Sequence, residues 1–369
     1  MKRFQGRIGL QQRVLPSYRA AFFDLMSEAS TGGLSLFAGQ PRPDEAIHTT
    51  SELHSAQYYG ANNRHFLRGP FYLCWQPNII AWLEEWDPKA LIVEANPRYP
   101  STRAAVGWMH ARGRPVIGWG LGAPPLKSPL SDFRSAKRLK FLRSLDAVVA
   151  YSARGAGEYR ALGLPNERVY IAPNATASRP VDAPPERTPE FGEQATLLFV
   201  GRLQHRKRVD NLLRACAALP VELKPRLLIV GDGPERARLE ALAKQIFLEV
   251  EFLGAVHGSD LVEYYAEADL FVLPGTGGLA IQEAMSYGLP VVVAEGDGTQ
   301  NDLVSDKNGW LVPSNNLTEL TDAILAALSN PVQLRQMGKE SFRITLEEVN
   351  IESMVSVFTH VLQTIRHEE

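Results

Sequence analysis

The stretch Thr196–Leu213, TLLFVGRLQHRKRVDNLL, runs from a continuous apolar segment through a Gly-Arg loop into an amphipathic segment. Five apolar-rich residues bounded by glycine read as a strand buried on both faces, and Val209–Leu219 carries its apolar residues at helical spacing. Moving outward, the same alternation recurs. Strands are expected at Arg226–Val230, Val250–Leu253, Leu270–Leu273 and Pro290–Ala294, with helices at Glu235–Ile246, Leu261–Ala266 and Ala280–Tyr287. Strand and helix in strict alternation imply a doubly wound α/β domain with a parallel sheet.

Upstream, shorter β-like runs lie at Arg7–Val14, Leu34–Phe37, Phe71–Cys74, Ala90–Val93, Pro115–Trp119 and Ala147–Tyr151, with helix-like stretches between several of them. Between Asn174 and Gln194 the pattern gives way to a Pro-rich polar tract without apolar periodicity, which reads as an interdomain linker. A length of 369 residues suits two such domains. The expected division is 1–176, with a C-terminal helix within 351–369 crossing back to it, and 177–350.

The formal net charge is -2, so nothing in the overall balance draws the chain to nucleic acid, and an anionic ligand needs a local cluster of cations. Cys74 and Cys216 are the only cysteines and stand far apart, which argues against a disulfide framework or a thiolate metal site and makes a reducing cytoplasm the natural home. No stretch approaches the ~20 apolar residues of a membrane span, leaving peripheral attachment as the closest membrane contact. Sequence patterns for HExxH zinc sites, Walker loops, GxSxG nucleophile elbows and Asp-x-Asp metal chelation are all missing, so no metal ligand set is expected.

Two motifs carry chemistry. In GRLQHRKRVD, Gly201–Asp210, Arg202 and Lys207 follow a strand whose carboxyl end is where ligands bind in open parallel sheets, and two fixed cations there suit a diphosphate. The same run also reads as a solvated basic loop. In PGTGGLAIQEAMSYGLPVV, Pro274–Val292, Gly275, Gly277 and Gly278 let the backbone approach a ligand, and the helix opening near Leu279 directs its free N–H groups there. Glu283 lies one turn inside that helix, placed to accept from a ribose diol. Taken alone, such a turn reads equally as tight packing.

Together, VGRLQHRKRVDNLL, LLIVGDGPERARLEALA, VEFLGAV, LVEYYAEADLFVLPG, GLAIQEAMSYGLPVVV and NGWLVP occur in an order and spacing that resembles glycosyltransferase family 4. That resemblance implies the GT-B fold, two Rossmann-like domains facing a central cleft. The implied activity is sugar transfer from a nucleotide diphosphate sugar to an acceptor hydroxyl with retained configuration and no metal or other cofactor, in bacterial surface polysaccharide or glycolipid synthesis. It also implies that Arg202 and Lys207 grip the diphosphate, Glu283 the ribose, and the N–H groups of Gly278 and Leu279 a phosphate. Gly201, Gly275 and Gly277 belong to the donor site, and Val256 lies near the base pocket. The family's E-x7-E motif places its first Glu at position 275, where this chain has Gly275.

The N-terminal half resembles the family loosely. VLPSYRAAFFDLM, Val14–Met26, follows the first strand, and Arg19 either contacts a phosphate or acceptor or, with Tyr18, simply opens a helix. Glu94, Asn96 and Arg98 are candidates for acceptor recognition, with an Asn-Pro turn and a strand-end carboxylate as the structural alternative. Trp119 stands where many relatives carry a histidine. Trp82 and Trp86, at i and i+4, are expected to pack rather than bind sugar. The basic run 127–146 is either an exposed helix or a contact for anionic lipid at the inner face of a membrane, which would suit a lipid-linked acceptor. Two other functions are compatible with the sequence: a nucleotide-sugar-binding protein with weak or no transfer, and a nucleotide-sugar 2-epimerase on the same fold. The epimerase would need a cluster of carboxylates and histidines that the cleft loops do not supply.

Overall fold

A computed structural model describes residues 3–43, 45, 47–126, 131–256 and 258–365, with the backbone alone for Pro70 and Ser259. The chain divides into two compact units, Met1–Thr176 with Ile351–Glu369, and Ala177–Asn350.

The first unit contains β1 (Ile8–Val14), α1 (Ala20–Glu28), β2 (Leu34–Gly39), β3 (Gln57–Gly60), β4 (Arg64–Phe66), β5 (Leu73–Trp75), α2 (Ile79–Trp86) and β6 (Ala90–Glu94). It continues with α3 (Pro100–His110), β7 (Val116–Gly120), α4 (Ser131–Arg143), β8 (Ala147–Ala150), α5 (Ala153–Leu162) and β9 (Val169–Ile171). Its main sheet is parallel, in the order β3-β2-β1-β6-β7-β8-β9. The central strands are buried along nearly their whole length, because helices cover both faces.

The expected strand at Phe71–Cys74 is displaced. Residues Leu73–Trp75 pair antiparallel with β4 in a separate two-stranded hairpin. The sheet edge beside β2 is taken instead by β3, whose sequence QYYG lacks an apolar signature because that edge is half exposed. Trp82 packs as expected, fully buried with its indole N–H donating to Ser35 Oγ at 2.9 Å.

The second unit is β10 (Thr196–Val200), α6 (Val209–Ala218), β11 (Arg226–Val230), α7 (Arg236–Ile246), β12 (Val250–Gly254), α8 (Val262–Glu267) and β13 (Leu270–Leu273). Then come α9 (Leu279–Ser286), β14 (Val291–Ala294), β15 (Gly309–Val312), α10 (Leu317–Ser329) and α11 (Pro331–Glu347). Its parallel sheet runs β12-β11-β10-β13-β14-β15. Helices α10 and α11 start on side-chain caps, Asn316 accepting from the Glu319 N–H and Asn330 from the Gln333 N–H. Each cap satisfies a donor that the first helical turn leaves open.

Helix α12 (Ile351–Thr364) belongs to the first unit, where Phe358 meets Phe22 and Trp119 edge-on, with centroids 5.6 and 5.3 Å apart. Arg19 ties this junction together. It is only 5% exposed; its guanidinium donates to Asn174 Oδ1 and the Ala175 carbonyl and lies 5.1 Å from the Trp119 ring. A guanidinium so engaged is a structural staple. Arg19 is the N-cap of α1, as in the helix-opening alternative, with its guanidinium turned into this junction, and Trp119 packs beside it, 1% exposed among Phe22, Tyr151 and Phe358.

Arg19→Ala removes charge-assisted hydrogen bonds worth about 1.5–3 kcal/mol and a cation–π contact besides. The expected result is a clearly lower denaturant midpoint for the first unit in urea titration of the full chain. An unchanged midpoint would remove Arg19 from its role as staple.

Candidate functional site

In the second sheet the strand order reverses between β10 and β13, which are neighbours although three strands apart along the chain. Loops leaving adjacent strands in opposite directions open a crevice at the strands' carboxyl ends. The two loops concerned are Gly201–Arg208 and Pro274–Gly278, the two stretches that carry the candidate donor residues.

Backbone hydrogen bonds fix the first loop. Gly201 N–H donates to the Val230 carbonyl at 2.9 Å and Leu203 N–H to the Asp232 carbonyl at 2.9 Å, while the Leu203 side chain is fully buried. Arg202 is thus held between two anchored neighbours with its side chain exposed, and it makes no hydrogen bond or ion pair among the described residues. Further on, Thr276 N–H donates to the Arg206 carbonyl at 3.0 Å, and Arg206 Nη1 donates to Thr276 Oγ1 at 3.2 Å. The two loops are stitched together.

That stitching explains Gly275. A Cβ there would come 2.3 Å from the Arg206 carbonyl oxygen and 2.5 Å from the Lys207 carbonyl carbon, far inside contact distance of backbone atoms. No side chain fits while the loop keeps this course, so the missing glutamate is matched by the path of the neighbouring loop. Gly277 has φ of 152°, and a Cβ on it would sit 2.3 Å from Lys207 Nζ. The Lys207 ammonium therefore lies directly over Gly277, one residue before Gly278, the N-cap of α9. Burial, and then the nearby charge of Arg206, push its pKa down to about 8. A desolvated cation beside an open helix N-terminus is an arrangement that an anion completes.

Helix α9 supplies the next element. Its Gly278 cap gives no side-chain hydrogen bond, so the first N–H groups of the helix are left for other acceptors. Glu283 is half-buried, and its carboxylate accepts from the Tyr265 hydroxyl at 3.1 Å. Desolvation raises its pKa above the ordinary carboxylate range, and the Tyr265 hydrogen bond offsets this in part. Tyr265 stacks on Tyr287, with centroids 5.0 Å apart and planes 6° from parallel. Val256 is half-buried two residues beyond β12, at the edge of the same sheet.

Three supporting residues escaped the sequence reading. Gln300, 1% exposed, donates through Nε2 to the Gly277 carbonyl at 2.8 Å, and Thr299 beside it approaches Gly278. They come from the loop after β14, whose glycine-rich EGDGTQ was the available signal. Arg187, in the Pro-rich tract, donates to the carbonyls of Tyr265, Ala268 and Tyr287 at 2.7, 2.8 and 2.9 Å. It closes the C-terminal ends of α8 and α9, behind the tyrosines that hold Glu283. Nothing in the sequence around Arg187 marks it.

The first unit has a separate pocket of about 290 Å³ lined by Glu94, Asn96, Arg98, Trp119 and their neighbours. Glu94 caps the Arg13 N–H at 2.6 Å, and burial raises its pKa. Asn96 Oδ1 accepts from the Arg98 N–H at 3.1 Å, the turn geometry expected of Asn-Pro. These residues do share a pocket, yet Glu94 and Asn96 also serve the backbone that shapes it.

Gly275→Ala should separate the stitched loops and lower stability by about 1–3 kcal/mol, the usual cost of overpacking. Thermal unfolding of the purified variant checks this. A melting temperature equal to that of the parent chain would mean that the loop yields freely.

Residues 182–343 match the family model of glycosyl transferases group 1. A GDP-mannose-dependent alpha-mannosyltransferase of Mycobacterium tuberculosis (strain CDC 1551 / Oshkosh) is 39% identical over 118 residues, covering 31% of this chain and 29% of the relative. A putative colanic acid biosynthesis glycosyltransferase, WcaL, of Escherichia coli (strain K12) is 30% identical over 204 residues, covering 51% of this chain and 48% of the relative. The chain thus spans less than half the length of these curated relatives. Among solved structures, Anabaena Alr3699/HepE in complex with UDP superposes with a TM-score of 0.70 at 15% identity, covering 97% of this chain and 99% of that one, a likeness of fold. Residues 182–343 of this chain are thus similar to the glycosyl transferases group 1 family, and the chain has the GT-B fold.

Proposed function

We propose that the protein transfers a sugar from a nucleotide diphosphate sugar to an acceptor hydroxyl, with retention of configuration, in the synthesis of a bacterial surface polysaccharide or glycolipid. The observation that carries this reading is the Lys207 ammonium, desolvated over Gly277 at the mouth of α9. A diphosphate seated there meets Lys207, Arg202 and the N–H groups of Gly278 and Leu279, while Glu283 accepts from the ribose diol. The relatives support the donor class: one is GDP-mannose-dependent by name, and the Anabaena structure holds UDP.

In the proposed reaction the bond from the anomeric carbon to the diphosphate oxygen breaks as the acceptor oxygen attacks from the same face. The departing phosphate oxygen takes the acceptor's proton, so no protein base is required. Charge building on the leaving group is met by the two cations and the helix N-terminus, arranged before reaction begins. No metal or other cofactor enters this scheme. A second reading, a nucleotide-sugar-binding protein with weak transfer, is favoured by Gly275, which leaves the sugar without the carboxylate that the family motif supplies.

Incubation with labelled UDP-, GDP- and dTDP-sugars should release nucleotide diphosphate with at least one donor. Binding without release would favour the second reading, and an altered sugar still attached to nucleotide would point to an isomerase. Lys207→Ala should weaken binding of the matching free nucleotide diphosphate about tenfold to a hundredfold by calorimetry, and Arg202→Ala by less, since Arg202 is exposed before binding. Unchanged affinity in both variants would refute the site.

The pH dependence has a definite sign. Lys207 titrates at about 8 in the free site, and a bound diphosphate holds its proton more tightly. Affinity should begin to fall as the pH approaches 8 and fall more steeply above it, by at most about tenfold per pH unit. Lys207→Arg stays charged and should abolish the fall. An identical pH profile in that variant would assign the titration elsewhere.

A further inference from the structure

The β4–β5 hairpin presents an unusual face. Register pairs Arg64 with Trp75 and Phe66 with Leu73, so these four share one side, while Cys74 on the other side is buried. Phe66, Leu73 and Trp75 are all exposed, as are Leu67 and Phe71 in the turn, at 66% and 69%. Apolar side chains this open and this clustered call for a partner. Leu67 moreover has φ of 58°, a left-handed conformation that branched bulky residues avoid, and it still points a leucine at solvent.

Across from the hairpin stands α4, with Phe133 exposed and Lys137 over its ring at 4.8 Å. Hairpin and helix enclose an open groove of about 520 Å³, whose apolar walls include Leu67, Phe71 and Phe133. Five cations line it as well, and no described lining residue is acidic, on a chain whose net charge is -2. Residues 127–130 of the basic run singled out in the sequence lie outside the described residues; the described surface is formed by α4, the hairpin, the start of α3 with Arg103, and the Pro97–Arg98 loop before it. Among the described residues no helix is long and apolar enough to cross a membrane.

We infer that this face of the first unit docks on the surface of a bilayer rich in anionic phospholipid, the hairpin turn entering the interface while the groove's cations meet headgroup phosphates. Aromatic and leucine side chains backed by cations satisfy both layers of such an interface. The groove shares Arg98 with the neighbouring first-unit pocket, but it holds none of the donor-site residues, and neither inference depends on the other.

The test is co-sedimentation of the full chain with vesicles of phosphatidylcholine alone or with phosphatidylglycerol added. Binding is expected only with phosphatidylglycerol, weakening with salt. Arg103→Glu/Lys137→Glu should lose at least tenfold in vesicle affinity, at roughly fivefold for each cation removed. Leu67→Gly separates docking from folding: it relieves the left-handed strain, so its melting temperature should hold or rise while vesicle affinity falls about fivefold or more. Nucleotide diphosphate binding should be unchanged in all variants, which distinguishes failure here from failure of the donor site. No binding to anionic vesicles, or equal binding to neutral ones, would overturn the inference. So would a concentration-dependent dimer that Leu67→Gly dissolves, because the occupant would then be a second copy of the chain.

Discussion

The contact of the Arg206–Lys207 backbone with Gly275 governs what the second unit's crevice can hold. Two loops leave neighbouring strands on opposite courses, and the hydrogen bonds through Thr276 draw them together. With the loops joined, the Lys207 ammonium lies over Gly277, and its charge loses water there. The position of the cation, its lowered pKa and the lack of a side chain at 275 are consequences of one close approach.

Support for this crevice comes from three directions. Leu203 anchors the first loop in the core, and Gln300 braces the Gly277 carbonyl from the loop after β14. Arg187 joins the linker to the C-terminal ends of α8 and α9, so that Tyr265 and Tyr287 present Glu283 from a fixed base. A site for a multiply charged ligand must be held open before the ligand arrives, because cations crowded together repel and a loose loop would let them part.

Much of the second unit was legible in the sequence because parallel strands buried on both faces leave unbroken apolar runs, as in TLLFV and RLLIV. The motif residues follow those strands directly, so their placement at the switch point came with the fold. Less was legible where tertiary context decides. Strand β3 is half exposed and gives no periodic signal; the hairpin pairs outside the main sheet; Arg19 and Trp119 face the core because α12 closes over them from the far end of the chain. Arg187 works by reaching backbone carbonyls, which any arginine in a flexible-looking tract can do, and no local pattern distinguishes it. The reason for Gly275 was also hidden, since it lies in the distant Arg206–Lys207 loop.

The proposed function rests on a diphosphate bridging Lys207 and the N-terminus of α9. A crystal structure of the chain with a tightly bound nucleotide diphosphate would reveal that bridge. A phosphate oxygen within hydrogen-bond distance of Lys207 Nζ and of the Gly278 or Leu279 N–H, with the ribose hydroxyls on Glu283, is the arrangement expected. A nucleotide bound elsewhere, or one whose phosphates turn away from Lys207, would contradict it.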